Sequence, residues 1–228
     1  MAGSGALSED DDDEEPSLGR QLDQFRRLVR HGIVDDRDLD GSVALIALSG
    51  ARDYQTVSVT TSTDESRALS GKVTDALADA VSRLQDLGVS KVLVNTAPPF
   101  GCQPFRAWNY NYAHCDALGN TVSDLHNAAL RRRLRDLDDV MVLDVHGAFG
   151  DVVRSRYSPC CAETSGTGDG YCGQEDGMGR PLYSLCPDPD NFFYWDVMHP
   201  TQRLVRHGTR ASSVMDNLQP AILDFLAY

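Results

Sequence analysis

The 228 residues carry 21 Lys and Arg against 34 Asp and Glu, a formal charge of -13, with 41% hydrophobic and 24% charged residues. That length suits one domain, 1–228, with a sizeable core, and the acidic balance argues against nucleic acid, whose binding needs clustered Lys and Arg. No apolar run approaches the roughly 18 residues of a membrane helix, so no transmembrane segment is expected.

Along the chain, the N-terminal stretch MAGSGALSEDDDDEEPS has neither the basic nor the apolar region of a secretory leader. Residues 8–16, beginning SEDDDDEE, form an acidic loop, because so many like charges repel and resist burial. Leu18, Leu22, Phe25, Leu28 and Val29 recur every three or four positions and predict an amphipathic helix between Pro16 and Gly32. Asp36-Arg37-Asp38-Leu39-Asp40-Gly41 has the form of half a calcium loop. Its twelfth position is Ala47, where a bidentate Glu is needed, and a strand follows, so a surface turn is the reading.

SVALIALSG, Ser42 to Gly50, is an apolar run of strand length, as expected of a strand covered on both faces. Leu69, Val73, Leu77, Ala80, Val81 and Leu84 stripe a helix from Glu65 to Leu87, stopped by Gly88. KVLVNTAPP is the next buried strand, broken at Pro98-Pro99. A loop carrying Cys102 and Cys115 leads to a helix over Val122 to Asp138, whose Arg131, Arg132, Arg133 and Arg135 lie beside aspartates on a solvated face. VMVLDVHG is a third strand, a cysteine-rich loop spans 155–190, and a final helix runs from about Thr201 to Asn217.

Strands alternating with helices predict a parallel sheet with helices on both faces, and such sheets place their sites outside the carboxyl ends of the strands. Those ends are Ser49 to Asp53, Asn95 to Pro98 and Asp144 to His146. Six cysteines, four of them in a Gly-, Ser-, Asp- and Pro-rich segment, suit disulfides in an oxidising compartment. Zinc ligation fits poorly with the adjacent Cys160-Cys161 and the lack of any C-x-x-C, and an intracellular protein with reduced thiols is the remaining alternative. Asp196 stands three residues before His199, where a carboxylate can accept the imidazole Nδ1–H and leave Nε2 free to take a proton from a hydroxyl. Pro200 fits the first position of the last helix, which puts His199 at its mouth, and a simple helix cap is the competing reading. His31, His114, His126, His146 and His207 have no partner legible in the sequence and are read as structural or solvent-facing.

YWDVMHPT resembles the final block of the GDSL (SGNH-type) esterases and lipases: an aromatic, W-D, two residues, H-P-T. VLVNTAPPFGCQP resembles their third block, and ALIALSGARDY resembles their second, which normally reads G-x-N-D-Y. SLGRQLDQF and LHNAALRRRLRDL match the intervening helices, and the C-C, C-G and L-C-x-D-P elements match the cysteine-rich loop. The resemblance covers nearly the whole chain in order. It implies a three-layer α/β/α sandwich with a parallel central sheet, flavodoxin-like in kind, and hydrolysis of acyl esters of lipids or carbohydrates by a secreted protein that uses no metal or organic cofactor.

Carried over by residue, the resemblance makes His199 the general base, Asp196 its orienting acid and Gly50 an oxyanion-hole glycine. Two positions depart from the pattern. The oxyanion asparagine falls on Arg52, a longer and permanently charged donor. The G-D-S block that carries the nucleophile occurs nowhere in the chain. The resemblance places it, and the central strand leading into it, ahead of Ser17. The 228-residue chain is therefore expected to be an N-terminally truncated form, poorly stable and inactive alone. Ser49 lies at the right end of a strand next to Gly50 and Ser4 in a flexible G-S-G; Ser49 is read as capping a backbone group at the strand end, and Cys160 or Cys161 would serve as thiol nucleophiles only if not bridged. Cys102 is expected to pair with Cys115 across the third-block loop, leaving Cys160, Cys161, Cys172 and Cys186 to pair among themselves. A secreted binding module of this fold that has lost its chemistry is the alternative function.

Overall fold

The computed structural model describes residues 4–7, 16–58, 60–153, 157–164, 172–202 and 214–227. The acidic run 8–15, part of the cysteine-rich loop and most of the expected last helix, 203–213, lie outside the described residues. The chain divides into two compact units, residues 1–98 with 122–144, and residues 99–121 with 145–228.

In the first unit, Ser17 caps helix α1 (Leu18–Arg30), its Oγ accepting the Arg20 N–H at 3.3 Å, and the chain leaves through Gly32 at φ 65°. A four-residue helix, α2 (Asp36–Leu39), follows. Asp35 and Asp38 close a reciprocal capping box on it, so these aspartates serve backbone N–H groups where the sequence suggested a plain surface turn. Strand β1 (Val43–Ile46), helix α3 (Thr63–Asp86), strand β2 (Lys91–Asn95) and strand β3 (Val140–Leu143) complete the α/β pattern. The strands pair in parallel in the order β1-β2-β3, with Ile46 opposite Val94 and Val94 opposite Val142. Helices flank this sheet. Helix α3 lies against β2 and buries Val73, Leu77 and Val81 completely.

The expectation that β1 is covered on both faces fails: Val43 and Leu45 are exposed while Ile46 is buried. Among the described residues β1 pairs on one side only, with β2, and alternate side chains point outward. The central β2 shows what two neighbours do, with Val92, Leu93 and Val94 all buried.

Helix α5 (Ala117–Leu134) has its first residues in the second unit and the rest in the first. It begins five residues before the expected Val122, because the Asp116 carboxylate accepts the Gly119 N–H at 2.9 Å and starts the helix among polar residues. In the second unit, α4 (Pro104–Ala107) precedes it, and α6 (Val145–Val153) begins where the sequence suggested the end of the third strand. Strands β4 (Cys161–Glu163) and β5 (Tyr183–Leu185) pair antiparallel inside the cysteine-rich loop. Helix α7 (Val214–Ala227) packs against α6 and runs ten residues past the expected Asn217. Among the described residues no helix is long and apolar enough to cross a membrane.

Disulfides join Cys102 to Cys115, Cys160 to Cys186 and Cys161 to Cys172. No thiol is left for zinc or for nucleophilic attack.

Candidate active site

The second unit holds the Asp196–His199 loop on two aromatic anchors. Phe193 and Tyr194 are buried edge to face, with ring centroids 4.7 Å apart, and Phe149 packs edge-on against Phe193. From this footing the chain loops out and returns: the Trp195 N–H donates to the His199 carbonyl at 2.7 Å, and the Thr201 N–H to the Phe193 carbonyl at 2.7 Å. Pro200 pairs with Tyr194 in a β-bridge, so it does not take the first helical position expected of it; Gln202 is helical, and 203–213 lie outside the described residues. The N–H groups of Cys160 and Cys161 donate to the carbonyls of Tyr194 and Trp195 at 2.9 and 2.7 Å, which ties the loop to both cysteine bridges. On its other side the Phe105 N–H of α4 donates to the Val197 carbonyl at 3.0 Å.

The carboxylate of Asp196 organises what this loop holds. Its Oδ1 accepts the N–H groups of Met198 and His199 at 2.8 and 2.7 Å, and His199 Nδ1 lies 2.8 Å from Oδ2 and 3.0 Å from Oδ1. Burial works against the charge on Asp196, but these backbone donors and the His199 ring outweigh it and hold the carboxyl below the usual carboxylate range. Asp196 therefore stays ionised beside the ring. The His199 side chain is 70% exposed against 23% for Asp196, so the histidine is fixed at Nδ1 and open to solvent elsewhere.

Thr201 completes the frame. Its hydroxyl, buried with the rest of the residue, donates to the Phe192 carbonyl at 2.8 Å. Thr201→Val keeps the shape and removes the donor, and is expected to lower stability by about 1 kcal/mol, read as a shift of the urea midpoint.

Gly50 and Arg52 lie in the first unit, on one turn after β1. The chain reaches it through Leu48, whose N–H and C=O are both taken by the Asn95 side-chain amide at 2.8 and 2.9 Å. An asparagine thus continues the ladder where β1 has ended. Gly50 sits at φ 72°, a conformation that other residues adopt only with strain. The Ala51 N–H donates to Ser49 Oγ at 3.4 Å, and the Tyr54 N–H closes the turn on the Gly50 carbonyl at 3.0 Å. Asp53 accepts the N–H groups of Ala6 and Leu7 at 3.1 and 3.0 Å. The backbone comes so close there that a Cβ on Gly5 would meet the Asp53 carboxylate at 2.9 Å. Ser4 Oγ, for its part, accepts from the Gln21 amide.

Sequence reasoning missed the partner of His126. It is buried on α5, and its Nδ1 lies 2.7 Å from the Tyr54 hydroxyl across 72 positions of sequence. Burial pushes the imidazole down to about 4 and the phenol above its usual range. No signal in the sequence marked it, because the link spans 72 positions.

No family model matches the chain. Several curated proteins do. A GDSL esterase/lipase of Arabidopsis thaliana is 34% identical over 205 residues, covering 81% of this chain and 55% of its own length. A second from that plant is 29% identical, covering 82% of this chain and 58% of itself, and a third is 28% identical, covering 89% and 66%. The chain spans rather more than half the length of the curated relatives it matches. Their similarity, the parallel α/β sheet and the ordered series of blocks ending in the Asp196–His199 turn place this chain in the GDSL esterase/lipase family.

Proposed function

We propose that this chain is the larger part of a secreted ester hydrolase in which His199 is the general base and Asp196 its orienting acid. The observation that carries the reading is the ionised Asp196 carboxylate at 2.8 Å from Nδ1 of a histidine whose ring is otherwise exposed. In this chemistry a serine hydroxyl attacks the ester carbonyl while His199 Nε2 takes its proton. The same proton then goes to the departing alcohol, and water repeats the cycle on the acyl-enzyme. Asp196 stabilises the imidazolium formed at each stage. Gly50 and, in place of asparagine, Arg52 are assigned to the oxyanion.

The chain has no G-D-S, and family order puts that block ahead of α1, so the nucleophile is assigned to sequence beyond these residues. An acyl ester of a lipid or carbohydrate is the substrate class. Three disulfides support a secreted location.

The test is p-nitrophenyl ester hydrolysis by two purified proteins, this chain and one extended by its upstream coding sequence. Hydrolysis by the extended form alone, abolished by His199→Ala, is expected. Turnover by the 228 residues alone would locate the nucleophile within them. A folded, silent extended form would leave the binding module, the reading that Arg52 favours.

A further inference from the structure

The 50–54 turn is held by its own side chains from two directions. Asp53 takes two backbone N–H groups of the 4–7 segment, and the Tyr54 hydroxyl reaches His126 on α5 at 2.7 Å. The Tyr54 ring is almost wholly buried and meets the His126 ring edge-on, with centroids 5.7 Å apart. Phenylalanine would fill the same volume without a hydroxyl to satisfy, and an aliphatic residue would replace His126 without two ring nitrogens to satisfy. A hydroxyl and an imidazole buried together are a fixed-length link, and what it links is specific. The Tyr54 N–H closes the turn on the Gly50 carbonyl, so the position of the Tyr54 ring sets the orientation of the peptides from Gly50 to Arg52.

We propose that Tyr54 and His126 are positioning residues that hold the Gly50–Arg52 turn in register for the reaction. The inference rests on the reading of that turn as the oxyanion donor. It assigns neither residue to contact with substrate. Each acts through the backbone of the turn, and an uncoupled turn would place its donors away from the developing charge.

Amide hydrogen exchange on the 228-residue chain separates a latch from an ordinary core hydrogen bond. The amides of position 54 and Val57 report the turn, bonded to the carbonyls of Gly50 and Tyr54, while Val73 and Leu77 in α3 report the core. Tyr54→Phe is expected to speed exchange in the turn about tenfold beyond any change in the core, the worth of one buried hydrogen bond. His126→Leu should do the same. His126→Asn, which keeps an acceptor or donor near the place of Nδ1, should restore most of the protection. Equal acceleration in turn and core, or no rescue by Asn, would overturn the proposal whether or not ester hydrolysis has been detected.

In the form that hydrolyses ester, Tyr54→Phe should lower kcat about tenfold or more with KM unchanged, and Arg52→Ala serves as the comparison. If Arg52→Ala impairs turnover and Tyr54→Phe does not, the positioning role is lost. If neither changes kcat while turn exchange is selectively faster, the oxyanion reading of the turn has failed and the latch stands.

Discussion

Between pH 7 and pH 4 the chain is expected to lose about 3 kcal/mol of stability through His126 alone. Burial holds this imidazole down to about 4, against an ordinary value of 6.5. Between those values the unfolded chain binds a proton that the folded chain refuses, so stability falls with pH across that window and levels off below it. The size follows from the gap between the two values at about 1.4 kcal/mol per pH unit. Carboxylates held below their usual range, such as Asp75 and Asp196, act with the same sign but lower, from about pH 4 downward. Urea unfolding of the wild-type chain and of His126→Asn at pH 7, 6, 5 and 4.5 separates the two. The variant should be less stable than wild type at pH 7 and lose little between 7 and 5. Curves that fall in parallel would mean that His126 does not titrate in this window.

Short-range order was legible in the sequence to the extent that its causes are local. Helix α1 follows from Pro16, the three-four spacing after it and Gly32, and its observed bounds lie within that pattern. Helix α3 begins two residues earlier than its apolar stripe suggests, because Ser62 and Glu65 form a capping box that apolar periodicity does not register. The start of α5 was hidden in the same way behind Asp116. In β1 the failure is of another kind. An apolar run of four or five residues reads the same at an edge and in the middle of a sheet, and only pairing decides which side chains water reaches.

The candidate residues divide along the same line. Asp196 and His199 are three residues apart, and their contact is local enough to read from a string. The links that fix the turn after β1 join Leu48 to Asn95, Ala6 and Leu7 to Asp53, and Tyr54 to His126, at separations of 46 to 72 residues. Side-chain amides and a buried phenol mark such links only once the chain has folded. His126 was read as having no legible partner, and it has a buried one.

In the form extended by its upstream coding sequence, Asp196→Asn is expected to lower ester hydrolysis by a factor on the order of 10³ to 10⁴, with KM little changed. The substitution distinguishes the two roles that this carboxylate plays. As the cap of its turn it accepts the Met198 and His199 N–H groups through Oδ1, and an asparagine carbonyl oxygen can accept both. As partner of the imidazole it must accept the Nδ1–H and offset the charge that appears when Nε2 takes a proton. An asparagine that keeps its oxygen on the turn presents an NH₂ to Nδ1 where Oδ2 stood, forcing the proton onto Nε2 and removing the free base. The turn should therefore survive while the chemistry does not. Unfolding of the variant within about 1 kcal/mol of wild type, together with the kinetic loss, would assign Asp196 to the reaction. A loss below about tenfold, with the fold intact, would leave it as the cap of a turn.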